Sequence, residues 1–295
     1  MRVLVIGLVV ALALLVAVGY TGAFHPAGDS FAVFRLPLVV LLALTVIWTP
    51  WSRQIRWTIS GLCLIILGQA AWNGLARHPS SADLTLLQHN MLFKRQGGED
   101  WLGYVTAVNP DVLTLQEVSV ANLALVDQLS ESYPYRQHCP FRSHLGETVL
   151  SRYPKIEGTG FCSTRDGLAG MRVETPKGPV WLVSLHVSWP WPYGQAPQIS
   201  QILPHLEKLD GPVILAGDFN AVAWSHAVDR VGRAFGGTRM GAWVNTFDLP
   251  KIGLPVGIDH VLATPEHFAV SVTAQPRLGS DHKGLLARVT FLDDN

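Results

Sequence analysis

Residues 213–220 read Val-Ile-Leu-Ala-Gly-Asp-Phe-Asn. After the Gly211-Pro212 break, four consecutive apolar residues leave no polar face. That is the pattern of a strand covered on both sides rather than one with a solvated face. Polar residues, Asp218 and Asn220, follow as soon as the run ends. Loops beyond strand ends are where a rigid sheet holds chemically active groups. The octapeptide therefore predicts a buried strand with a site at its C-terminal end.

Working outward, the same arrangement recurs. Strands are predicted at 83–89, 112–116, 148–151, 179–187, 258–263 and 285–291, and several end or begin on polar side chains. Asn90 follows the first, Glu117 follows the second and His186 lies near the end of the fourth. Asp259 opens the fifth run, and Asp281-His282 precedes the last. Helices are predicted between them at 98–108, stopped by Asn109-Pro110, and at 121–130 and 196–209. Strands interspersed with helices, some apolar on both faces, argue for sheets covered by helices rather than an all-β fold.

The first 78 residues have a different solvent. Of the 295 residues, 48% are hydrophobic and 15% charged, against about 25% charged in an average soluble protein. Arg2, Arg35, Arg53, Arg56, Arg77 and Asp29 are the only charged residues before His78. Apolar stretches run from Val3 to Val18, Leu36 to Trp48 and Ile55 to Leu75. A hydrocarbon core about 30 Å thick takes about 20 helical residues, so residues 1–78 are expected to form a transmembrane anchor of about three helices. Trp48, Trp51 and Trp57 around Thr49-Pro50 suit the headgroup level. The alternative for the first stretch is a cleaved signal peptide, after which two apolar runs remain.

With the N-terminus inside, Arg2, Arg53 and Arg56 fall on the cytoplasmic side and Arg35 and Arg77 outside. The reading is then a multi-pass protein of the inner membrane whose second domain, residues 79–295, lies outside the cytoplasm. That domain is mildly acidic, which weakens the case for tightly held duplex DNA, since affinity for nucleic acid comes mainly from Lys and Arg. Cys139 and Cys162 either form a disulfide, as an oxidising compartment allows, or are two buried thiols.

Carboxylates together with an amide oxygen suit a hard cation such as Mg²⁺ or Mn²⁺, and histidines suit proton transfer near neutral pH. Gln88-His89-Asn90, Leu115-Gln116-Glu117, Leu150-Ser151-Arg152-Tyr153-Pro154, Ser184-Leu185-His186, Gly217-Asp218-Phe219-Asn220, Ile258-Asp259-His260-Val261 and Gly279-Ser280-Asp281-His282 follow one another in an order that resembles the endonuclease/exonuclease/phosphatase superfamily. The resemblance implies a four-layer α/β sandwich, two mixed β-sheets flanked by helices, and metal-dependent phosphoester hydrolysis. By motif it implies Glu117 as metal ligand, with Asn90 and Asp281 close to the ion. It implies Asp218 as the group orienting or deprotonating water, Asn220 as a phosphate ligand, and His282, oriented by Asp259, as a proton-transfer or phosphate-holding group. His186 would be an acid or transition-state donor.

Glu147 either orients His186 or is a surface strand residue, the latter favoured by loose alignment. Arg152 is expected to brace the fold. Leu92 stands where some members carry an acid, which shifts weight in the metal shell to Glu117 and Asp281.

The segment Ser188-Trp189-Pro190-Trp191-Pro192-Tyr193 is expected to rim the site, as a stacking platform for bases, a lipid-headgroup contact, or a loop packed on its own domain. The favoured function is hydrolysis of phosphodiesters in nucleic acid or a lipid headgroup, with the bilayer as the other partner and no protein partner inferable. The alternatives are a phosphomonoesterase acting on a soluble or inositol phosphate, and a non-catalytic binding protein of the same fold.

Overall fold

The computed structural model of the chain describes residues 2–75, 82–141, 145–163 and 167–292. The boundary between the two expected domains, at 78–79, lies outside the described residues.

Three apolar helices pack together at the N-terminus: α1 (Arg2–Val18), α3 (Arg35–Val46) and α4 (Arg53–Gly74), with the short α2 (Ala27–Ala32) between the first two. Only α4 is long and apolar enough to cross a membrane, among the described residues. The expected three spanning helices are thus not borne out in length. A turn at 33–34 precedes the middle apolar run and another at 47–48 ends its helix, leaving α3 with 12 residues. Side chains such as Leu4, Leu14, Leu64 and Ile65 point outward and are exposed.

The remainder is a sandwich of two six-stranded mixed sheets. The first contains β1 (Leu84–Asn90), β2 (Val112–Gln116), β3 (Tyr135–Phe141), β4 (Leu145–Ser151), β13 (Phe268–Ala274) and β14 (Leu285–Phe291), in the order β13-β14-β1-β2-β4-β3. The second contains β5 (Phe161–Ser163), β6 (Leu168–Thr175), β7 (Gly178–His186), β8 (Val213–Asp218), β9 (Thr238–Arg239) and β12 (Asp259–Ala263), in the order β5-β6-β7-β8-β12-β9. The short strands β10 (Phe247–Asp248) and β11 (Pro255–Val256) form a separate ribbon.

Each six-stranded sheet has one parallel pair near its centre, β1 with β2 and β7 with β8. Parallel neighbours need a crossover, and helices supply it. The helix α5 (Glu99–Val108) joins the first pair and α7 (Gln195–Leu206) the second.

Hydrophobic burial explains the four layers. Leu86, Val112, Met171, Leu182, Ile214, Ala216 and Val289 face one another between the sheets. On the outer face of the first sheet, Leu87, Leu113 and Leu115 pack on Trp101 and Val105 of α5 and Val126 of α6 (Val120–Asp127). On the outer face of the second, Val183 and Leu215 pack on Ile199 and Ile202 of α7 and on Val228 and Val231 of α8 (His226–Ala234). Alternate residues of one strand thus enter different cores, which is why the 213–216 run carries no polar side chain. Cys139 and Cys162 are disulfide-bonded. The bond ties β3, the edge of the first sheet, to β5, the edge of the second.

Candidate active site

The C-terminal ends of both parallel pairs meet at one place. Register sets Asn90 beside Gln116 and His186 beside Asp218. Antiparallel β12 adds Asp259 opposite Asp218. Gly217 permits this approach, because a Cβ there would collide with the carbonyl of Leu185. Just past the strand ends Glu117 and Asn220 take left-handed backbone conformations, φ 54° and 47°. Such conformations at non-glycine residues cost of order 1–3 kcal/mol and persist where surroundings impose them. For Asn220 the surroundings are its N–H to Asp218 Oδ1, 2.8 Å, and its Nδ2 to the carbonyl of Val187, 2.9 Å.

Asn90 Nδ2 donates to Glu117 Oε1 (3.3 Å) and Asp218 Oδ2 (3.1 Å). His186 Nε2 lies 3.8 Å from the same Glu117 oxygen and 3.6 Å from the same Asp218 oxygen. His282 Nε2 approaches Asp218 Oδ2 to 3.7 Å from the other side, and its Nδ1 lies 2.9 Å from Asp259 Oδ2. Six predicted residues thus form one connected group. Asn220 joins it through Asp218. Asp281 does so less tightly: it is exposed at the rim of the same pocket, where its charge is felt by His282.

Burial and charge set the protonation states. Burial pushes the Asp218 carboxyl up to about 6, although His282 and His186 pull against it. For His282, burial favours the neutral ring, but Asp259 and Asp218 outweigh it and raise the imidazole to about 10. For His186, burial again favours the neutral ring, and the Glu147 contact with the charges of Asp218, Glu147 and Glu117 lifts it to about 9. Asp259 is held down by His282 against the effect of its burial. Two cationic histidines thus flank one buried carboxylate.

Glu147 departs from the favoured surface reading. It is fully buried on β4, with Oε1 3.6 Å from His186 Nδ1. Burial raises it to about 7. Arg152 lies apart from the pocket, over the Tyr133 ring and bonded to Asn109.

Sequence reasoning gave no role to a polar relay between the sheets. Gln88 Nε2 donates to Asp259 Oδ1 (2.9 Å) and Gln116 Oε1 (2.7 Å), Gln116 Nε2 to Ser184 Oγ (2.8 Å), and Ser184 Oγ to the carbonyl of Leu115 (3.1 Å). All are buried. The relay fixes the carboxylate that fixes His282. Its signal in the sequence was three polar residues inside apolar runs, each one or two positions before Asn90, Glu117 or His186.

The pocket, about 510 Å³, is lined by carboxylates Glu117, Asp218 and Asp281 and, among the described residues, by no lysine or arginine. The two cationic histidines offset these three carboxylates only in part, and an all-oxygen donor set suits a hard divalent ion that would complete the balance for a phosphate ester. Glu117 Oε1 faces this space; its Oε2 is occupied by the N–H of Phe93, 3.0 Å. Asn90 Oδ1 accepts from the N–H of Leu92 at 2.9 Å, so its free lone pair, or the amide turned over, would serve a cation. Asp218, Asp259 and His282 also offer ligand atoms within 4.8 Å of one another. There, however, the imidazole already bridges the two carboxylates, so the Glu117 side fits an ion better.

The rim is divided. Trp189 packs on Phe247, which stacks at 4.8 Å on His282. Trp191 turns toward the helical segment, its carbonyl accepting from Ser30 Oγ (2.6 Å) and its ring lying beside His25. Tyr193 lines the pocket and is exposed.

Comparison with known proteins agrees with this geometry. The model of the Endonuclease/Exonuclease/phosphatase family matches residues 87–282. No curated protein sequence matches the chain. Among solved structures, an endonuclease/exonuclease/phosphatase from Beutenbergia cavernae is 20% identical, with a TM-score of 0.56, covering 70% of this chain and 71% of that one. The TDP2 of D. rerio in complex with a single-strand DNA product is 18% identical, TM-score 0.56, covering 70% and 98%. A Staphylococcus aureus beta toxin variant with bound magnesium ions is 16% identical, TM-score 0.54, covering 70% and 99%. Identities this low establish a shared fold.

Proposed function

Because this chain belongs to the Endonuclease/Exonuclease/phosphatase family and is therefore a phosphoester hydrolase, we propose that it is a membrane-anchored phosphodiesterase dependent on Mg²⁺ or Mn²⁺. The observation that carries the reading is the joining of Glu117, Asn90, His186, Asp218, Asp259 and His282 at the ends of strands from both sheets.

Glu117, with Asn90 and Asp281, would hold the cation. When bound, it neutralises charge on the phosphoryl oxygens. Asp218, held between two imidazoliums, orients and deprotonates the attacking water. A carboxyl raised toward neutrality is a better base than an ordinary aspartate. Asn220 and His282 donate to phosphoryl oxygens, and Asp259 keeps His282 oriented and charged. His186, charged through Glu147, stabilises the transition state or protonates the departing oxygen. Such preorganised donors typically contribute ~10²–10³ each in rate.

Charge favours a diester. Among the described residues the pocket meets a phosphate with two histidines and no lysine or arginine, a complement that suits the single charge of a diester better than the double charge of a monoester. Residues 1–78 are the proposed anchor and 79–295 the catalytic domain. The exposed apolar surface of α4, only 6% buried over its most apolar window, supports the anchor. The Cys139–Cys162 bond supports an extracytoplasmic domain on an inner-membrane protein.

The Ser30–Trp191 contact ties the rim to the helices, which favours a lipid-headgroup diester. A nucleic acid strand is the second reading, resting on exposed Tyr193 and Phe93 as stacking faces. The full chain in detergent, assayed with Mg²⁺ on sphingomyelin micelles, single-stranded DNA and a phosphomonoester, separates these. Turnover of a diester only is expected. Preference for the monoester would contradict the reading.

A further inference from the structure

A second cavity, of about 420 Å³, lies where the helices meet the catalytic domain. Its wall includes Tyr20 just after α1, Arg35 at the start of α3, Gln69 and Asn73 near the end of α4, and Arg239 and Trp243 from the domain. It shares no lining residue with the strand-end pocket and has no acidic residue in its wall.

Arg239 has no neighbouring carboxylate, and Arg35 feels one acidic charge, that of Asp29 in the adjoining cavity. Arg35 is 8% exposed; its guanidinium lies 3.8 Å over the Tyr20 ring and donates to the carbonyl of Gly19. Its Nε is buried with no hydrogen-bond partner among the described residues. Arg239 donates to the carbonyls of Met240 and Asn73, each at 3.3 Å. Burial lowers its basicity and no neighbouring carboxylate opposes the effect.

Neither arginine forms an ion pair among the described residues. Asp29, in the adjoining cavity with Arg35, commits its oxygens to the backbone N–H groups of His226 (2.7 Å) and Ala227 (3.0 Å). Helix-end carbonyls account for some of the donors, but a helix C-terminus carries only about half a charge. One buried and one half-buried guanidinium facing one open volume therefore call for an external anion.

We propose that this cavity binds a phosphorylated anion, with Arg35 and Arg239 engaging its oxygens and Gln69 and Asn73 completing the polar wall. Guanidinium forks match phosphoryl oxygens. The ligand is either the headgroup of an anionic phospholipid or a soluble phosphate. The proposal does not depend on catalysis at the strand ends, and its test is silent about that site.

The test is thermal unfolding of the full chain in detergent with EDTA, which removes the divalent cation proposed for the catalytic pocket, so that the arginine variants report on the second cavity. Phosphatidylglycerol mixed into the micelles, compared with phosphatidylcholine, should raise the unfolding temperature by several degrees. The shift, read against each variant's own baseline, should vanish in Arg239→Gln and Arg35→Gln and survive in part in Arg239→Lys. A shift with inorganic phosphate at matched ionic strength, with the same dependence on the arginines, assigns the soluble source. No shift with either anion, or one that Arg239→Gln and Arg35→Gln leave intact, overturns the proposal.

Discussion

Glu147 and His186 show how one buried carboxylate decides the charge of its neighbour. Replacing Glu147 with Gln removes a fully buried acid whose contact raises His186. If His186 acts as an acid, activity is lost as pH rises through its ionisation, so the alkaline limb of the pH–rate profile should move to lower pH in Glu147→Gln. An unmoved limb would remove Glu147 from any positioning role. The residue was hard to read in the sequence because Gly146-Glu147-Thr148 looks like ordinary surface alternation. What buries it is the facing sheet, which adjacent residues do not reveal. Strand-end groups such as Asp218 were legible because each follows a run too apolar to face water.

His260 offers a clean stability test. Burial, then the charge of Arg239, lowers it to about 4, and its Nε2 lies 2.8 Å from the carbonyl of Ala221. Below its unfolded value near 6.5 the unfolded chain takes up a proton that the folded one refuses. The associated stability is therefore complete above about pH 7 and is lost as pH falls toward 4. Between about pH 7.5 and about pH 5 the advantage of the wild type over His260→Gln should shrink by about 2 kcal/mol, measured by unfolding in detergent. A constant difference would show that the ring titrates normally.

At the scale of elements, the long-range ties are the features that local sequence could not supply. The α8 helix is capped by its own Ser225, whose Oγ accepts from the N–H of Val228, and also by Asp29 from the helical segment. Asp29→Ala should cost about 1–2 kcal/mol and speed amide exchange in the first turn of α8. Unchanged exchange there would contradict the cap.

The disulfide between β3 and β5 closes a loop across the two sheets. Changing both cysteines to serine should cost about 3 kcal/mol in the chain-entropy picture, read from unfolding in detergent; a loss near zero would mean the sheets hold their edges without it. Neither strand was read in the sequence. Tyr135–Phe141 is polar and contains a proline that an edge position tolerates, and Phe161–Ser163 is three residues long. The regular central strands β2 and β14 were legible to the residue, because burial there follows the apolar pattern.

At the scale of the molecule, two sheets each bring a parallel pair of strands to the same end, and the functional residues lie where those ends meet. The helical segment holds the rim of that site through Ser30 and Trp191 and caps α8 through Asp29. The helical segment and the sandwich therefore share direct contacts. That coupling was invisible in the sequence, where the apolar runs suggested lipid contact but not docking. The order of the motifs, by contrast, carried the sandwich and the convergence of the candidate site, because most motifs sit at strand ends and the motif at 279–282 lies in the loop before β14.

The most direct test is the Mg²⁺ dependence of bis-p-nitrophenyl phosphate hydrolysis by the full chain and its Glu117→Gln and Asp218→Ala variants. We expect no turnover in EDTA, a Mg²⁺ requirement raised at least about tenfold in Glu117→Gln, and a rate reduced ~10²–10³ in Asp218→Ala at saturating metal. Hydrolysis that persists in EDTA, or variants that match the wild type at every Mg²⁺ concentration, would contradict a cation-dependent site at these strand ends.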